Sequence, residues 1–282
     1  MPDSLERRRA NTLSGVEWTR NSISVWSDLR RTPQETALKH PALFPASLVE
    51  RVIQCLMPPA GGTVLDPFSG SGSTVLAASR LGYHGIGFDV AEGYLEMSRR
   101  RLTEEPDLSG TWELHHASAL DLGSRVAPGS VQLTVTSPPY WDVLSRRRSA
   151  DGRGTRDYAG SDGDLSRLDE YPAFVEGIGC VFDAVASATT PRGYLVVNVM
   201  DIRKGARFYP FHMDLARRLA PEPAVDVHPL WELDDIVIWD RRADYNSLRP
   251  LGFPAVFRVN KVHEYLMIFR RTEVEVGASE TV

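Results

Sequence analysis

Short apolar runs alternate with amphipathic segments along most of this chain, and that alternation is the strongest constraint on its fold. TVLDPF (63–68), HGIGFDV (84–90), WELHHASAL (112–120), VQLTVTSPPYW (131–141), GYLVVNVMDI (193–202), DDIVIWD (234–240) and HEYLMIFRR (263–271) read as strands. Helical spacing marks 46–56, where Leu48, Val49, Val52, Ile53 and Leu56 recur before Pro58-Pro59 ends the pattern. Further helices are expected over 73–81, 91–104, 169–188 and 209–219. Alternating strands and helices predict the α/β class, with a mostly parallel sheet and helices on both faces. The last two strand-like runs have no clear helix between them. They are expected to pair as neighbours at a sheet edge, one of them antiparallel.

A length of 282 residues suits one large α/β domain. The expected organisation is an irregular arm over 1–38, a single domain over 39–272 and a frayed tail over 273–282. Residues 145–164, rich in Arg, Gly, Asp and Ser, are expected to form a mobile loop. No stretch approaches the ~20 apolar residues of a membrane span. The opening MPDSLERRRANTLSG has charge but no apolar segment after it, so the cytoplasm is the default and no membrane partner is expected. A net charge of −5 excludes a uniformly basic nucleic-acid coat and leaves room for local basic patches. Cys55 and Cys180 are expected to be buried thiols of a reducing compartment. The histidines show no ligand spacing, and His115 and His116 point to opposite faces of their strand, so no metal is expected.

The first strand ends in LDPFSGSGST (65–74), with Gly70 and Gly72 in a turn that opens a helix. Glycines there let a ligand approach the backbone, and free helix N–H groups attract anionic atoms. A phosphate-binding loop needs a lysine that this turn lacks. The dinucleotide fingerprint needs a third glycine at position 75, which is valine. By itself the turn is also an ordinary glycine helix start. Two acids tip the balance: Asp66 suits an ammonium group, and Asp89, ending the next strand, suits ribose hydroxyls. An acid at two adjacent strand ends beside a glycine turn fits S-adenosyl-L-methionine. Upstream, KHPALFP (39–45) brings Phe44 and Pro45 towards the methionine part of such a ligand.

VTSPPYW (135–141) closes another strand. Two consecutive prolines stiffen the backbone and remove two donors, leaving carbonyls without local partners. Such a carbonyl and the Ser137 hydroxyl can accept both hydrogens of an exocyclic amine, while the Tyr140 ring stacks on the base. Holding those hydrogens out of plane localises the nitrogen lone pair and aims it, which is catalysis by positioning and electrostatics. Both elements end parallel strands and so reach the carboxyl edge, where such sheets bind ligands.

With these strings the chain resembles the amino-group DNA methyltransferases, which modify cytosine-N4 or adenine-N6. DPFSGSGST looks like their cofactor motif, TSPPYW like the catalytic motif of the TSPPY type, KHPALFP like the short element preceding the cofactor motif, and KVHEYLMIFRR (261–271) like their late strand. The likeness runs from about residue 20 to 271. It implies a Rossmann-like methyltransferase fold with a cofactor half over 39–125 and a catalytic half over 126–272. It also implies a base flipped out of duplex DNA. On this resemblance Ser137, Pro138, Pro139 and Tyr140 are the catalytic residues. The cofactor set is Lys39, His40, Phe44, Pro45, Asp66, Pro67, Phe68, Gly70, Ser71, Gly72, Asp89 and Asp121. Many TSPPY members place the catalytic half first; here the cofactor half leads. No large insertion is available for target recognition, only 145–164 and 203–262.

Arg146, Arg147 and Arg148 follow the catalytic string and, with Trp141, Arg203 and Lys204, are the expected DNA contacts. Neither cysteine sits in a Pro-Cys context, which argues against ring-carbon methylation. Serine at position 137, where adenine-directed relatives usually carry Asp or Asn, points to cytosine-N4. Adenine-N6 DNA methylation, RNA base methylation and a noncatalytic DNA-binding relative are the alternatives. A homodimer and a cognate restriction endonuclease are the partners the resemblance leaves open.

Overall fold

The computed structural model describes residues 9–38, 43–59, 61–141, 165, 168–222, 228–244, 248 and 250–273. In chain order these form α1 (Gly15–Asn21), β1 (Val25–Trp26), α2 (Pro33–Ala37), α3 (Ala46–Leu56), β2 (Thr63–Asp66), α4 (Ser73–Arg80), β3 (His84–Asp89), α5 (Glu92–Glu104), β4 (Trp112–His116) and β5 (Val131–Thr136). Then follow α6 (Tyr171–Ala188), β6 (Thr189–Val199), β7 (Ile202–Lys204), β8 (Arg207–Tyr209), α7 (Phe211–Leu219), β9 (Trp231–Asp240) and β10 (His263–Arg271). Eight strands make one sheet in the order β1-β9-β10-β6-β5-β2-β3-β4. All its pairings are parallel except those of β10, which runs antiparallel to both β6 and β9. The α/β, mostly parallel arrangement expected from the alternation is therefore present. β9 is not the edge, because β1 pairs beyond it.

Strand residues alternate between two buried layers, as a pleat requires. Val64, Val196 and Leu266 pack with α3 and α4 on one face, while Leu65, Leu195, Val197 and Met267 pack with α6 and α7 on the other. In β9 the alternation is interrupted: a register shift between Ile268 and Phe269 of β10 skips one residue of β9. The bulge sends Trp231 to the α6 face, where its Nε1 donates to the Phe182 carbonyl at 3.1 Å, and Trp239 to the α3 face.

Several boundaries differ from the sequence expectation. The expected irregular arm is built into the fold over its described part. Capping boxes of Ser14 with Glu17 and Thr32 with Glu35 start α1 and α2, and Trp26 is buried in the α3 layer. β4 stops at His116, since the Ser118 hydroxyl caps a 3-10 turn over Ala119–Ser124. β6 ends at Val199, and Ile202 begins the β7–β8 hairpin. The thiols are less buried than expected. Cys55 is partly buried, and that burial pushes its thiol up to about 11. Cys180 is exposed, falling off the apolar stripe of α6. Residues 145–164 and 274–282 lie outside the described residues, apart from Leu165 at the border of the first segment. No helix among the described residues is long and apolar enough to cross a membrane.

Candidate active site

β2 delivers Asp66 to the carboxyl edge, and the chain then turns through Pro67–Gly72 into α4. Gly70 and Gly72 take left-handed φ values of 51° and 79°, which side chains resist. At Gly72 a Cβ would also lie 2.0 Å from the Ser98 Oγ of α5. The turn is tied on every side. The Ser69 N–H donates to the Phe88 carbonyl (2.8 Å), and the Gly70 N–H donates to Asp89 Oδ2 (2.8 Å). Asp89 Oδ1 accepts from the Ala91 N–H at 2.8 Å. From behind, Arg101 Nη1 of α5 donates to the Ser71 carbonyl at 2.6 Å, and its Nη2 lies 3.6 Å from Glu35 Oε1. Glu35 in turn accepts from the Ala46 N–H at the start of α3.

Asp66 is fully buried. Thr136 Oγ1 and the Phe68 N–H donate to its Oδ1 at 2.6 and 3.0 Å, while Oδ2 has no hydrogen-bond partner among the described residues. Burial pushes its carboxyl up to about 6 against hydrogen bonding from the Thr136 and Thr74 hydroxyls and the Phe68 N–H, and the nearby Asp89 charge acts in the same direction as burial. Thr136 belongs to β5, directly before Ser137, so one hydrogen bond joins the two strand ends. A second bond ties α4 to β5, from Thr74 Oγ1 to the Val135 carbonyl at 3.0 Å.

A cleft of about 840 Å³, counting its open mouth, lies over this edge. Of the residues expected to hold the cofactor, Phe44, Pro67, Phe68, Gly70, Ser71 and Asp89 line it, and Ser137 and Pro139 of the catalytic string line it too. Asp66 and Gly72 sit beneath the lining. Pro45 precedes α3 as its N-cap and does not line the cleft. Asp121 is also displaced: it is exposed in the 3-10 turn, and Ala117, Ser118 and Ala119 form that wall instead. Pro138 and Tyr140 do not line the cleft; Tyr140 is buried, with its hydroxyl 3.5 Å from Ser137 Oγ.

Trp141, expected at the DNA surface, is in the core. A left-handed φ of 40° turns it inward, its Nε1 donates to the Leu168 carbonyl at 2.6 Å, and it packs on Tyr171 and Tyr209. Lys204 covers that ring with its Nζ 3.8 Å from the centroid, and Arg203 lies exposed on the same β7–β8 hairpin. Lys39, His40, Arg146, Arg147 and Arg148 lie outside the described residues. Sequence reasoning missed Leu43, Ser69, Ser73, Tyr94 and the supporting pair Arg101 and Glu35. Tyr94 had a signal, a ring one turn into the helix that follows Asp89; the pair had none. Among the described residues no group of His, Cys, Asp or Glu is arranged to hold a metal ion.

The sheet and cleft define an α/β protein with a ligand cleft at its carboxyl edge, where the expected ligand is S-adenosyl-L-methionine. The donor set fits that cofactor: a carboxylate in the cleft at Asp89, apolar walls at Phe44 and Phe68, and a buried unpartnered carboxylate oxygen at Asp66. Residues 2–100 match the family model of DNA methylases, the N6/N4 methyltransferases. It is 38% identical over 92 residues to the Type II methyltransferase M.ScaI of Streptomyces caespitosus, covering 30% of each chain. It is 42% identical over 82 residues to M2.DpnII of Streptococcus pneumoniae, covering 29% of this chain and 30% of that one. The chain thus spans under a third of the length of these curated relatives. Among solved structures, TrmN from Thermus thermophilus superposes with a TM-score of 0.47 at 16% identity, over 80% of this chain and 48% of that one.

Proposed function

We propose that the chain moves a methyl group from S-adenosyl-L-methionine to the exocyclic N4 amine of a cytosine flipped out of duplex DNA. One observation carries this reading: the glycine turn with Asp89 and the Ser137–Pro139 segment wall a single cleft. The cofactor supplies an electrophilic methyl group. Asp89 would hold its ribose, Asp66 beneath the turn would balance its ammonium charge, and Phe44 and Phe68 would enclose its apolar parts. The Ser137 hydroxyl and a proline-string carbonyl accept the two amine hydrogens, which localises the nitrogen lone pair and orients it along the line of transfer. Tyr140 backs this pocket. Serine is too weak a base to remove a proton first, so the proton leaves the amine after the methyl arrives.

The N4 assignment rests on Ser137, a short neutral acceptor at the position where adenine-directed relatives usually carry Asp or Asn. Unmethylated duplex DNA and tRNA incubated with methyl-labelled cofactor, then digested to nucleosides and separated by mass, test it. N4-methylcytosine from DNA is expected. N6-methyladenine would move the reading to the other amine, label in tRNA would move it to RNA, and no transfer to either would leave a noncatalytic relative. A homodimer and a cognate restriction endonuclease are further proposals, checked by sedimentation and by digestion of modified DNA.

A further inference from the structure

Between β9 and β10 the chain leaves the carboxyl edge of the sheet and returns to it over residues 241–262. Its stretch 250–259 is apolar but for Arg258, and its large side chains face solvent: Phe257 is 90% exposed, Phe253 78% and Val259 73%. Single exposed apolar side chains are ordinary, but a run of them on one loop marks a contact surface. The loop is built rather than slack. The Phe253 N–H donates to the Pro250 carbonyl (3.2 Å) and the Val256 N–H to the Gly252 carbonyl (2.8 Å). Gly252 has a φ of 78°, and a Cβ there would lie 2.1 Å from the Val256 carbonyl oxygen.

Sheet register places this loop beside the cleft. Thr136, the residue before Ser137, pairs with Val197; Val199 pairs with Tyr265; His263 pairs with Asp240, where the loop begins. Three strand spacings separate β5 from β9, about 14 Å, close to the ~12 Å width of a DNA major groove. Lys261 donates to the Asp201 carbonyl, which ties the loop to the end of β6 and the β7–β8 hairpin. That hairpin carries Arg203, Lys204 and Arg207, with Phe208 44% exposed. Acids around the loop root are engaged internally: Asp201 with His212, Asp240 with Arg242, and Asp244 and Glu264 with Arg241. The surface beside the apolar loop is thus a cationic strip on a chain of net charge −5. It matches a polyanion, whereas a two-fold contact with a second copy would set the strip against itself.

We infer that the 250–262 stretch of this loop is the segment that enters duplex DNA. Phe253, Phe257 and Val259 are the apolar wedge against the bases, and the hairpin cations lie along the phosphates. This deepens the methyl-transfer reading and rests on it: a flipped base leaves a gap in the stack, and an apolar side chain entering beside it offsets part of the unstacking cost. The pair Phe257→Ser/Val259→Ser touches only exposed side chains, so the variant folds as the wild type does. Binding to a fluorescent duplex of mixed sequence is measured by anisotropy across a salt series, with cofactor affinity and sedimentation measured on the same samples. DNA affinity is expected to fall at least about fivefold. The salt slope, cofactor affinity and sedimentation should not change. Arg203→Ala/Arg207→Ala should instead flatten the slope, by about 0.9 for each phosphate no longer neutralised. Unchanged affinity in the serine variant overturns the wedge and leaves the methyl-transfer reading standing. A wild-type dimer that the same variant splits also overturns it, in favour of a self-association face. A wild type that binds no duplex overturns both readings.

Discussion

Arg101 donates a 2.6 Å hydrogen bond to the carbonyl of Ser71, so a side chain from the far end of α5 holds the turn that walls the cleft. The guanidinium is itself partly buried and braced by Glu35, whose carboxylate also starts α3. Arg101→Met should therefore weaken S-adenosyl-L-methionine binding by about 1–3 kcal/mol, through a loosened turn and a Glu35 carboxylate left without its cation. Arg101→Lys keeps the charge but not the planar fork and should recover only part of the loss. Calorimetry on the folded variants checks this; wild-type affinity in Arg101→Met would separate the brace from the site.

Asp66 gives a pH signature. Its carboxyl is raised to about 6 by burial, so between pH about 4 and 6 the folded state holds a proton that the unfolded state has released. Its contribution to stability therefore falls as pH rises through that window, and Asp66→Asn should flatten the stability profile there. A bound ammonium favours the ionised carboxylate, so cofactor affinity should rise with pH over the same range in the wild type and stay level in Asp66→Asn. Titration calorimetry at several pH values measures it. A level wild-type profile would make Asp66 a purely structural acid beneath the turn.

Gly72 is constrained twice, by its left-handed backbone and by Ser98 packed against it. Gly72→Ala should cost on the order of 1–3 kcal/mol of stability, since the new methyl meets both the side chain and the backbone of α5. Urea denaturation reads this loss directly. A variant as stable as the wild type would show that α5 can move away from the turn.

Ser137 lines the cleft, whereas Tyr140 lies behind it. Ser137→Ala should lower turnover by about one to two orders of magnitude while leaving cofactor affinity unchanged, because the hydroxyl acts on the amine alone. Steady-state methyl transfer together with calorimetry separates the two effects. Equal losses in both would place Ser137 in the cofactor wall.

The parts legible in the sequence were those where neighbours along the chain are also neighbours at the site. The turn from Pro67 to Gly72 and the Ser137–Pro139 segment each carry their chemistry within one short string, and both reach the cleft. Interactions that depend on distant packing left no such trace. Arg101 and Glu35 are each separated from the turn by two elements, and nothing in their local sequence marks a role at the turn. Trp141 reads as a continuation of the catalytic string, yet its left-handed backbone sends the ring into the core. Asp121 was displaced for a local reason: β4 ends early at a serine-capped turn, and the wall passes to Ala117–Ala119.

Val64 pairs with Leu133, and Leu65 with Thr134, so the strands bearing the two motifs are held side by side by the sheet and not by the chain between them. The order in which a gene encodes the two halves is for that reason neutral to the geometry of the cleft. A chain entering the sheet through β5 before β2 would carry the catalytic string first and set the same strands side by side.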